Sequence, residues 1–430
     1  MKNSFHLFTR QFLKSELLRS ASVLIAGTVI AQLIPILLQP FLRRSFSPET
    51  FGAYSVYLSI VGILIIISSL KYELAIVLPK KDKNAINILA LSLIINFIFS
   101  SVILCIVLIF KYDILRILNL SDNYIIIVYL IPAGTFLISS FQSFNYWLIR
   151  KKAFYSISVN KLVRRGFEGF AQVLFALFRN AKGLILGDII GQLSNIITVF
   201  YQSTRNGFSF RKISLAKISY VARKYSEFPK YNTLPSLMSS ISYLLPVILI
   251  NKFFSSENAG FFDLSKLLLS IPLALVASSL SSVLLQKISE KFRNRESIYQ
   301  DIKPVLYLTG AIVVFEIIII ELFGVELFEF CFGKNWTISG ELSKILVWSF
   351  ALNFLASSFT AIFIAMNRIK IQSIWQLFYF LSILSLFFFR KLSFNHFIGF
   401  YVVIEVVCSA IILFLVSSIV FRYERSIVKR

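Results

Sequence analysis

The sequence predicts an all-α polytopic membrane protein with about 12 transmembrane helices, in two six-helix bundles related by a parallel repeat. Three observations predict it: composition, the spacing of long apolar runs, and a motif that occurs twice. Of 430 residues, 57% are hydrophobic, only 15% are charged and 45 are Phe, and the mean hydropathy is +0.78. Soluble domains carry about 25% charged residues, and a single soluble core stops growing at about 250–300 residues. Lipid is therefore the solvent for most of this chain.

A transmembrane helix needs about 20 predominantly apolar residues. Such runs fall near 21–42, 52–70, 86–110, 124–148, 158–178 and 183–203, and again near 231–251, 260–285, 303–324, 343–366, 371–389 and 396–421. Continuous runs such as Ile60 to Leu70 exclude a transmembrane barrel, whose strands alternate over segments of about ten residues. The first run follows Arg10, Lys14 and Arg19, like a signal peptide, but it is longer than an h-region and lacks a small-residue cleavage site. It reads as a retained span.

The 44 Lys and Arg against 21 Asp and Glu give a net charge of +23. No basic segment is long enough to form an independent nucleic-acid-binding domain, so nucleic acid is not an expected partner. Counted over alternate loops, with basic residues near a span end assigned to the adjoining loop, 32 lie on the side of the termini and 11 on the other, while Lys266 is counted with neither. Basic loops mark the cytoplasmic side and attract anionic headgroups, so both termini are expected in the cytoplasm of a multi-pass protein. Cys105, Cys331 and Cys408 form no disulfide or zinc pattern. His6 and His396 stand far apart, so no metal site or cofactor is expected.

Span 1 and its exit read Leu33-Ile34-Pro35-Ile36-Leu37-Leu38, then Ser47-Pro48-Glu49-Thr50-Phe51-Gly52; span 7 and its exit read Leu244-Leu245-Pro246-Val247-Ile248-Leu249, then Ser255-Ser256-Glu257-Asn258-Ala259-Gly260. Six crossings separate the copies, so they leave the membrane on one face. A parallel repeat of this kind places a substrate cavity between two bundles. The expected division is 1–203, a basic cytoplasmic linker 204–230, and 231–430. The linker reads either as solvated or as an amphipathic surface helix. Pro35 and Pro246 are expected to bend their helices, and Gly52 and Gly260 to mark the turns of re-entry.

Together with Gly27 to Pro40, Lys71-Tyr72-Glu73-Leu74-Ala75-Ile76-Val77-Leu78-Pro79, Ala259 through Lys266 to Pro272, and Phe332-Gly333-Lys334-Asn335-Trp336, these motifs give the chain its resemblance. It resembles the polysaccharide transporters of the multidrug/oligosaccharidyl-lipid/polysaccharide exporter superfamily, specifically the O-antigen type flippases, in which Arg typically stands where Lys71 does. The resemblance implies two six-helix bundles in a bacterial inner membrane, moving an undecaprenyl-diphosphate-linked oligosaccharide from the cytoplasmic to the periplasmic leaflet. Membrane lipids, a polysaccharide polymerase and chain-length proteins are the further partners to be expected. A diphosphate cannot cross about 30 Å of hydrocarbon unaided, so a polar, preferably cationic, pathway is needed.

Ionisable groups inside spans are costly and are functional candidates by default. Lys266 is the sharpest, either as a cavity cation or as a residue that snorkels or pairs with Asp263. Arg164, Glu168 and Gln172 share one helical face, with Arg165 beside them, and a guanidinium fork suits a phosphate. Asp188, Gln192 and Asn195 line span 6, and Gln32 and Asn145 are further candidates for sugar hydroxyls, although amides also glue helices. Lys71 and Glu73 read as an interfacial pair. Glu316 and Glu405 read as ion-coupling groups for a proton or sodium gradient, with Glu321 as an interfacial group. Tyr54, Tyr57, Tyr146 and Trp147 read as aromatic-belt anchors. No catalytic motif appears, and the longest outside loop, about 325–342, is short for an active site. A polymerase or ligase is the enzyme alternative; a cation-coupled multidrug exporter is the transporter alternative, and it would favour an acidic cavity.

Overall fold

The computed structural model describes residues 16–428. Lys2, His6, Arg10, Lys14, Lys429 and Arg430, which enter the charge and histidine arguments, lie outside the described residues. Fourteen α-helices and five short 3-10 turns account for nearly all of the rest, with no strand among the described residues. The chain divides into two compact units, the first ending at Ser240 and the second beginning at Ile241.

Unit 1 contains α1 (Glu16–Ser45), α2 (Pro48–Ser68), α3 (Asp82–Leu118), α4 (Ile125–Arg150), α5 (Phe154–Leu177), α6 (Gly183–Arg205), the short α7 (Leu215–Lys224) and the start of α8 (Glu227–Phe253). Unit 2 takes the rest of α8, then α9 (Ser256–Asn294), α10 (Tyr299–Phe332), α11 (Thr337–Phe359), the single turn α12 (Ala361–Ala365), α13 (Ile369–Leu384) and α14 (Phe394–Val428). Each of the twelve expected spans falls on a helix. Ten of these helices are long and apolar enough to cross a membrane. The other two, α5 and α10, carry charge within the expected span: Lys161, Arg164, Arg165 and Glu168 on the first, Glu316 and Glu321 on the second.

Hydropathy underestimates the long helices. α3 has 37 residues where the apolar run has about 25, because backbone hydrogen bonding continues after the side chains turn polar. At 1.5 Å per residue such a helix is about 55 Å long, well beyond the hydrocarbon core of about 30 Å. Its backbone departs from helical geometry at Phe110, with φ −111° and ψ 22°. The expected outside loop at 325–342 is largely helix as well. α10 runs to Phe332 and α11 starts at Thr337, leaving only the turn at Gly333 and Lys334–Trp336.

The duplicated motif is a helix N-cap. Ser47 Oγ accepts from the Thr50 amide at 3.3 Å, and Ser255 Oγ accepts from the Asn258 amide at 3.0 Å. Each satisfies an orphan donor of the first turn, and Glu49 and Glu257 sit there favourably with the helix dipole. Gly52 and Gly260 lie within α2 and α9 on the buried side, so the turns belong to the serines and the glycines serve packing. α1 stays helical through Pro35 and α8 through Pro246. The repeat extends to the 3-10 turns before α4 and α11, which bury Tyr124 and Trp336. Tyr124 reaches Thr50 Oγ1 at 3.3 Å, and Trp336 meets the Phe261 ring at 6.0 Å.

Hydroxyls and amides glue unit 1. Ser68 donates to Ser139 at 2.6 Å, Ser92 and Ser143 share a bond of 2.7 Å, and Asn96 donates to Ser140 at 2.8 Å and to the Phe136 carbonyl at 3.0 Å. Such bonds hold helices together where lipid removes the hydrophobic drive. Residues 204–230 belong to this unit. α7 packs on α3 with Ile218 and Val221 buried, in one apolar core with Phe144, Trp147 and Phe208. Trp147 and Tyr57 are fully buried, so these two are core residues rather than belt anchors, an ambiguity that aromatic position in a sequence does not resolve.

Candidate functional site

Among the described residues, two places stand out where buried charge meets other polar groups, one in each unit. The first is the contact between α5 and α6. Gly183, Gly187 and Gly191 recur every four residues along α6 and let the helices meet at backbone distance. A Cβ at Gly187 would stand 2.4 Å from Gln172 Cγ, and one at Gly191 would stand 2.7 Å from Glu168 Cβ and 3.1 Å from the Arg164 carbonyl oxygen. On the side of α5 facing α1, a Cβ at Gly169 would meet Leu38 Cδ1 at 2.5 Å.

This close approach assembles the predicted polar residues. Arg165 Nη1 donates to both Glu168 oxygens, at 3.0 and 2.9 Å. Arg164 stands between Glu168 at 3.8 Å and Asp188 at 3.6 Å. Asp188 is 1% exposed and accepts from Gln192 Nε2 at 3.3 Å, while Gln172 Nε2 donates to the Leu184 carbonyl at 3.1 Å. Two guanidiniums thus face two carboxylates, and the arginines do not have equal freedom. Arg165 is spent on Glu168. Arg164 holds its carboxylates beyond hydrogen-bond range, and its buried Nε has no hydrogen-bond partner. Of the pair, Arg164 keeps donors to offer.

The amides divide. Gln172 and Gln192 are tied into the helix contact. Gln32 and Asn145 are half-buried, each with a buried oxygen that has no hydrogen-bond partner. Asn160 and Asn195 are fully buried with both amide atoms unpartnered, and such groups are costly unless water or a ligand completes them. Lys71 and Glu73 sit apart from this network. Leu70 and Lys71 have φ of 49° and 61°, a left-handed turn that ends α2. There Glu73 is buried, accepts from Ser69 Oγ at 2.5 Å and lies 3.9 Å from Lys71 Nζ.

The second place is a cavity of about 490 Å³ inside unit 2, within the size range of small-molecule sites. Its wall combines apolar surface from Leu273, Ala277, Phe350 and Phe354 with hydroxyls from Ser270, Ser278, Ser281, Ser349, Ser357 and Thr360, and with Asn353, Tyr243, Tyr379 and Tyr401. Its charged lining residue is Glu405, which is buried and accepts from Tyr379 OH at 2.7 Å. Tyr379 is stacked on Trp375, with ring centroids 5.4 Å apart, and the Trp375 indole donates to the Cys408 carbonyl at 3.0 Å.

Lys266 approaches this cavity from α9. It is buried, donates to the Tyr243 carbonyl at 2.6 Å and lies 3.4 Å from the centre of the Tyr243 ring. It does not snorkel; the aromatic face and the carbonyl take over its solvation. Asp263, on the same helix, and Glu405 both act on it electrostatically. Glu316 is elsewhere, half-buried on α10 and lining an apolar cavity of about 410 Å³ with one carboxylate oxygen unpartnered. Glu321 accepts from the Trp348 indole at 3.0 Å at an exposed position.

Sequence reasoning singled out Arg164, Glu168, Asp188, Lys266 and Glu405, which the structure places at these two sites of buried charge. It missed the glycine stripe of α6, although Gly183-x-x-x-Gly187-x-x-x-Gly191 is legible as a small-residue contact face. It also missed the tyrosines and serines of the unit 2 cavity, which come from five helices whose packing the sequence does not give.

Comparison with known proteins agrees with this architecture. Across 94% of the chain and 99% of its counterpart, the fold is similar to an inward-facing multidrug resistance MATE family transporter of the MOP superfamily, with TM-score 0.72 and 16% identity. It is similar to the lipid II flippase MurJ in an inward closed conformation, with TM-score 0.69 and 16% identity, over 91% of this chain and 87% of that one. A MOP superfamily transporter from Pyrococcus furiosus with a binding pocket of reversed polarity gives TM-score 0.61 at 15% identity, over 96% and 98%. A search of curated proteins finds no match. At such identities the structures establish the fold, a multi-pass transporter fold. Residues 41–341 match the family of polysaccharide biosynthesis proteins, and the chain belongs to that family.

Proposed function

We propose that this protein is a flippase that moves an undecaprenyl-diphosphate-linked oligosaccharide, an O-antigen or capsule repeat unit, from the cytoplasmic to the periplasmic leaflet of a bacterial inner membrane by alternating access. The observation that carries the reading is the match to polysaccharide biosynthesis proteins on a transporter fold that a lipid II flippase shares. The geometry is compatible with both polar parts of such a cargo. Arg164 keeps guanidinium donors for a phosphate, which would compete with Glu168 and Asp188 for them. The hydroxyls, amide and aromatic faces of the unit 2 cavity suit sugar hydroxyls and ring faces.

A proton or sodium gradient is the energy source we assign, with buried Asp188 and Glu405 and half-buried Glu316 as the carboxylates able to take up the ion. Polysaccharide polymerase and chain-length proteins are the expected neighbours in the membrane. A second reading, a cation-coupled multidrug exporter, is favoured by one observation: the charged lining residue of the cavity is the carboxylate of Glu405.

Deleting the gene and following the lipid-linked repeat unit by leaflet-specific labelling separates the readings. Complete units held on the cytoplasmic leaflet with little surface polymer are the expected result. Normal polymer with new drug sensitivity identifies an exporter, and single units that reach the periplasm without polymerising identify a polymerase.

A further inference from the structure

The start of α3 and the start of α7 meet in a corner where positive charge is concentrated. Asn87 makes the joint: its side chain accepts from the Ser214 amide at 2.8 Å and donates to the carbonyls of Lys212 at 3.1 Å and Lys83 at 2.6 Å. Lys83, one turn before Asn87, is thereby brought to Lys217 in the first turn of α7. Lys83 and, more weakly, Lys81 both bear on Lys217 electrostatically. Lys217 is held below the ordinary lysine range, first by Lys83 and further by Lys81.

Neither helix start has a side-chain cap: Lys81 is the N-cap residue of α3 and Ser214 that of α7. The N-terminal ends of helices carry partial positive charge and favour anions, so three lysines there are the wrong sign for an empty corner. Asp82 does not relieve them, because it accepts from Arg150 Nε at 3.0 Å and from Lys151. Beside the corner the surface is apolar. Leu215 is 82% exposed, with Phe210 and Tyr220 also exposed, while the opposite side of α7 is buried against α3. An amphipathic helix with exposed apolar residues among lysines is suited to the headgroup and acyl boundary of a membrane.

We infer that Lys81, Lys83 and Lys217 form a site for the headgroup phosphate of an anionic phospholipid, which bridges the starts of α3 and α7 and clasps the linker helix to unit 1. The phosphate supplies the counter-charge missing from the corner, and its acyl chains lie along Leu215 and Tyr220. This inference is independent of the cargo.

The test is native mass spectrometry of the purified full-length protein in detergent, titrated with phosphatidylglycerol, phosphatidylcholine or inorganic phosphate. Each lysine near an anionic headgroup contributes about 1 kcal/mol, so K83Q and K217Q should each weaken phosphatidylglycerol binding about fivefold, and the double variant about 25-fold. Lys391→Gln, at an exposed position outside the corner, should leave binding unchanged. Unfolding midpoints without added lipid check that the variants are intact. Equal retention of phosphatidylglycerol and phosphatidylcholine, or a double variant that binds like wild type, overturns the site. Inorganic phosphate displacing the lipid at equal concentration overturns the lipid assignment.

Discussion

The α5–α6 contact of unit 1 and the cavity of unit 2 both bury charge, and they solve the problem by different means. In unit 1 the carboxylates of Glu168 and Asp188 face guanidiniums across a glycine-lined contact, and little space is left. In unit 2 Glu405 is held by the Tyr379 hydroxyl beside an open volume, and Lys266 rests on Tyr243. Ion pairing fixes geometry and leaves a charge for exchange when a competing anion arrives. Hydroxyl solvation leaves a recess of mixed apolar and hydroxyl lining, which can accept a neutral group without breaking an ion pair.

The largest effect that breaks this comparison is steric. Gly191→Leu places side-chain atoms where Glu168 and the Arg164 backbone already stand, and overpacking of this kind costs about 3 kcal/mol or more. The α5–α6 contact should open, and the protein should be depleted from membranes with a lowered unfolding midpoint in detergent. A Leu at Gly310, where a Cβ meets nothing within 4 Å, should be tolerated.

Next is Arg164→Ala, which strips the ion pair from buried Asp188 and should cost about 3 kcal/mol. The double variant Arg164→Ala/Asp188→Ala should recover most of that stability, by unfolding midpoint, while surface glycan stays low. Recovery of both would make Arg164 purely structural. Arg164→Lys should retain part of the activity, because charge is kept and the fork is lost.

In unit 2, Tyr379→Phe removes a hydrogen bond to a carboxylate, worth about 2 kcal/mol, and should lower the unfolding midpoint modestly. Lys266→Ala should impair glycan display while protein remains in the membrane, as measured by immunoblot against surface polymer. Wild-type display from both Lys266→Ala and Arg164→Ala would sink the cationic-pathway reading. The smallest effect belongs to Lys71→Gly. It relieves a left-handed backbone worth about 1 kcal/mol but strips the 3.9 Å pair from buried Glu73, which keeps its Ser69 hydrogen bond, so the two effects oppose and the unfolding midpoint should move least.

The helices were legible because apolar runs of span length have few other readings in a chain this hydrophobic. Their ends were not, since α3 and α10 continue where side chains turn polar and hydropathy falls silent. The Ser47 and Ser255 motifs were visible as a repeat, but only the bonds to Thr50 and Asn258 show that they are caps. Arg164, Glu168 and Asp188 were found as costly residues in spans, and helical spacing put Arg164 and Glu168 on one face. That Asp188 meets them across Gly187 and Gly191 required the packing register. Glu405 was visible as a charge with Tyr401 one turn before it on the same helix; its company of Tyr379 and Asn353 was not, because two other helices supply them.

Translocation of a lipid-linked glycan can be followed in a reconstituted system. Purified protein in proteoliposomes carrying the host's own lipid-linked oligosaccharide is treated with a membrane-impermeant reagent that oxidises exposed sugars. Wild-type vesicles should expose the inner-leaflet glycan to the reagent over time, and Arg164→Ala vesicles should protect it as protein-free vesicles do. Equal protection in wild-type and protein-free vesicles, with the protein folded by its unfolding midpoint and a gradient of either ion applied, would contradict the account.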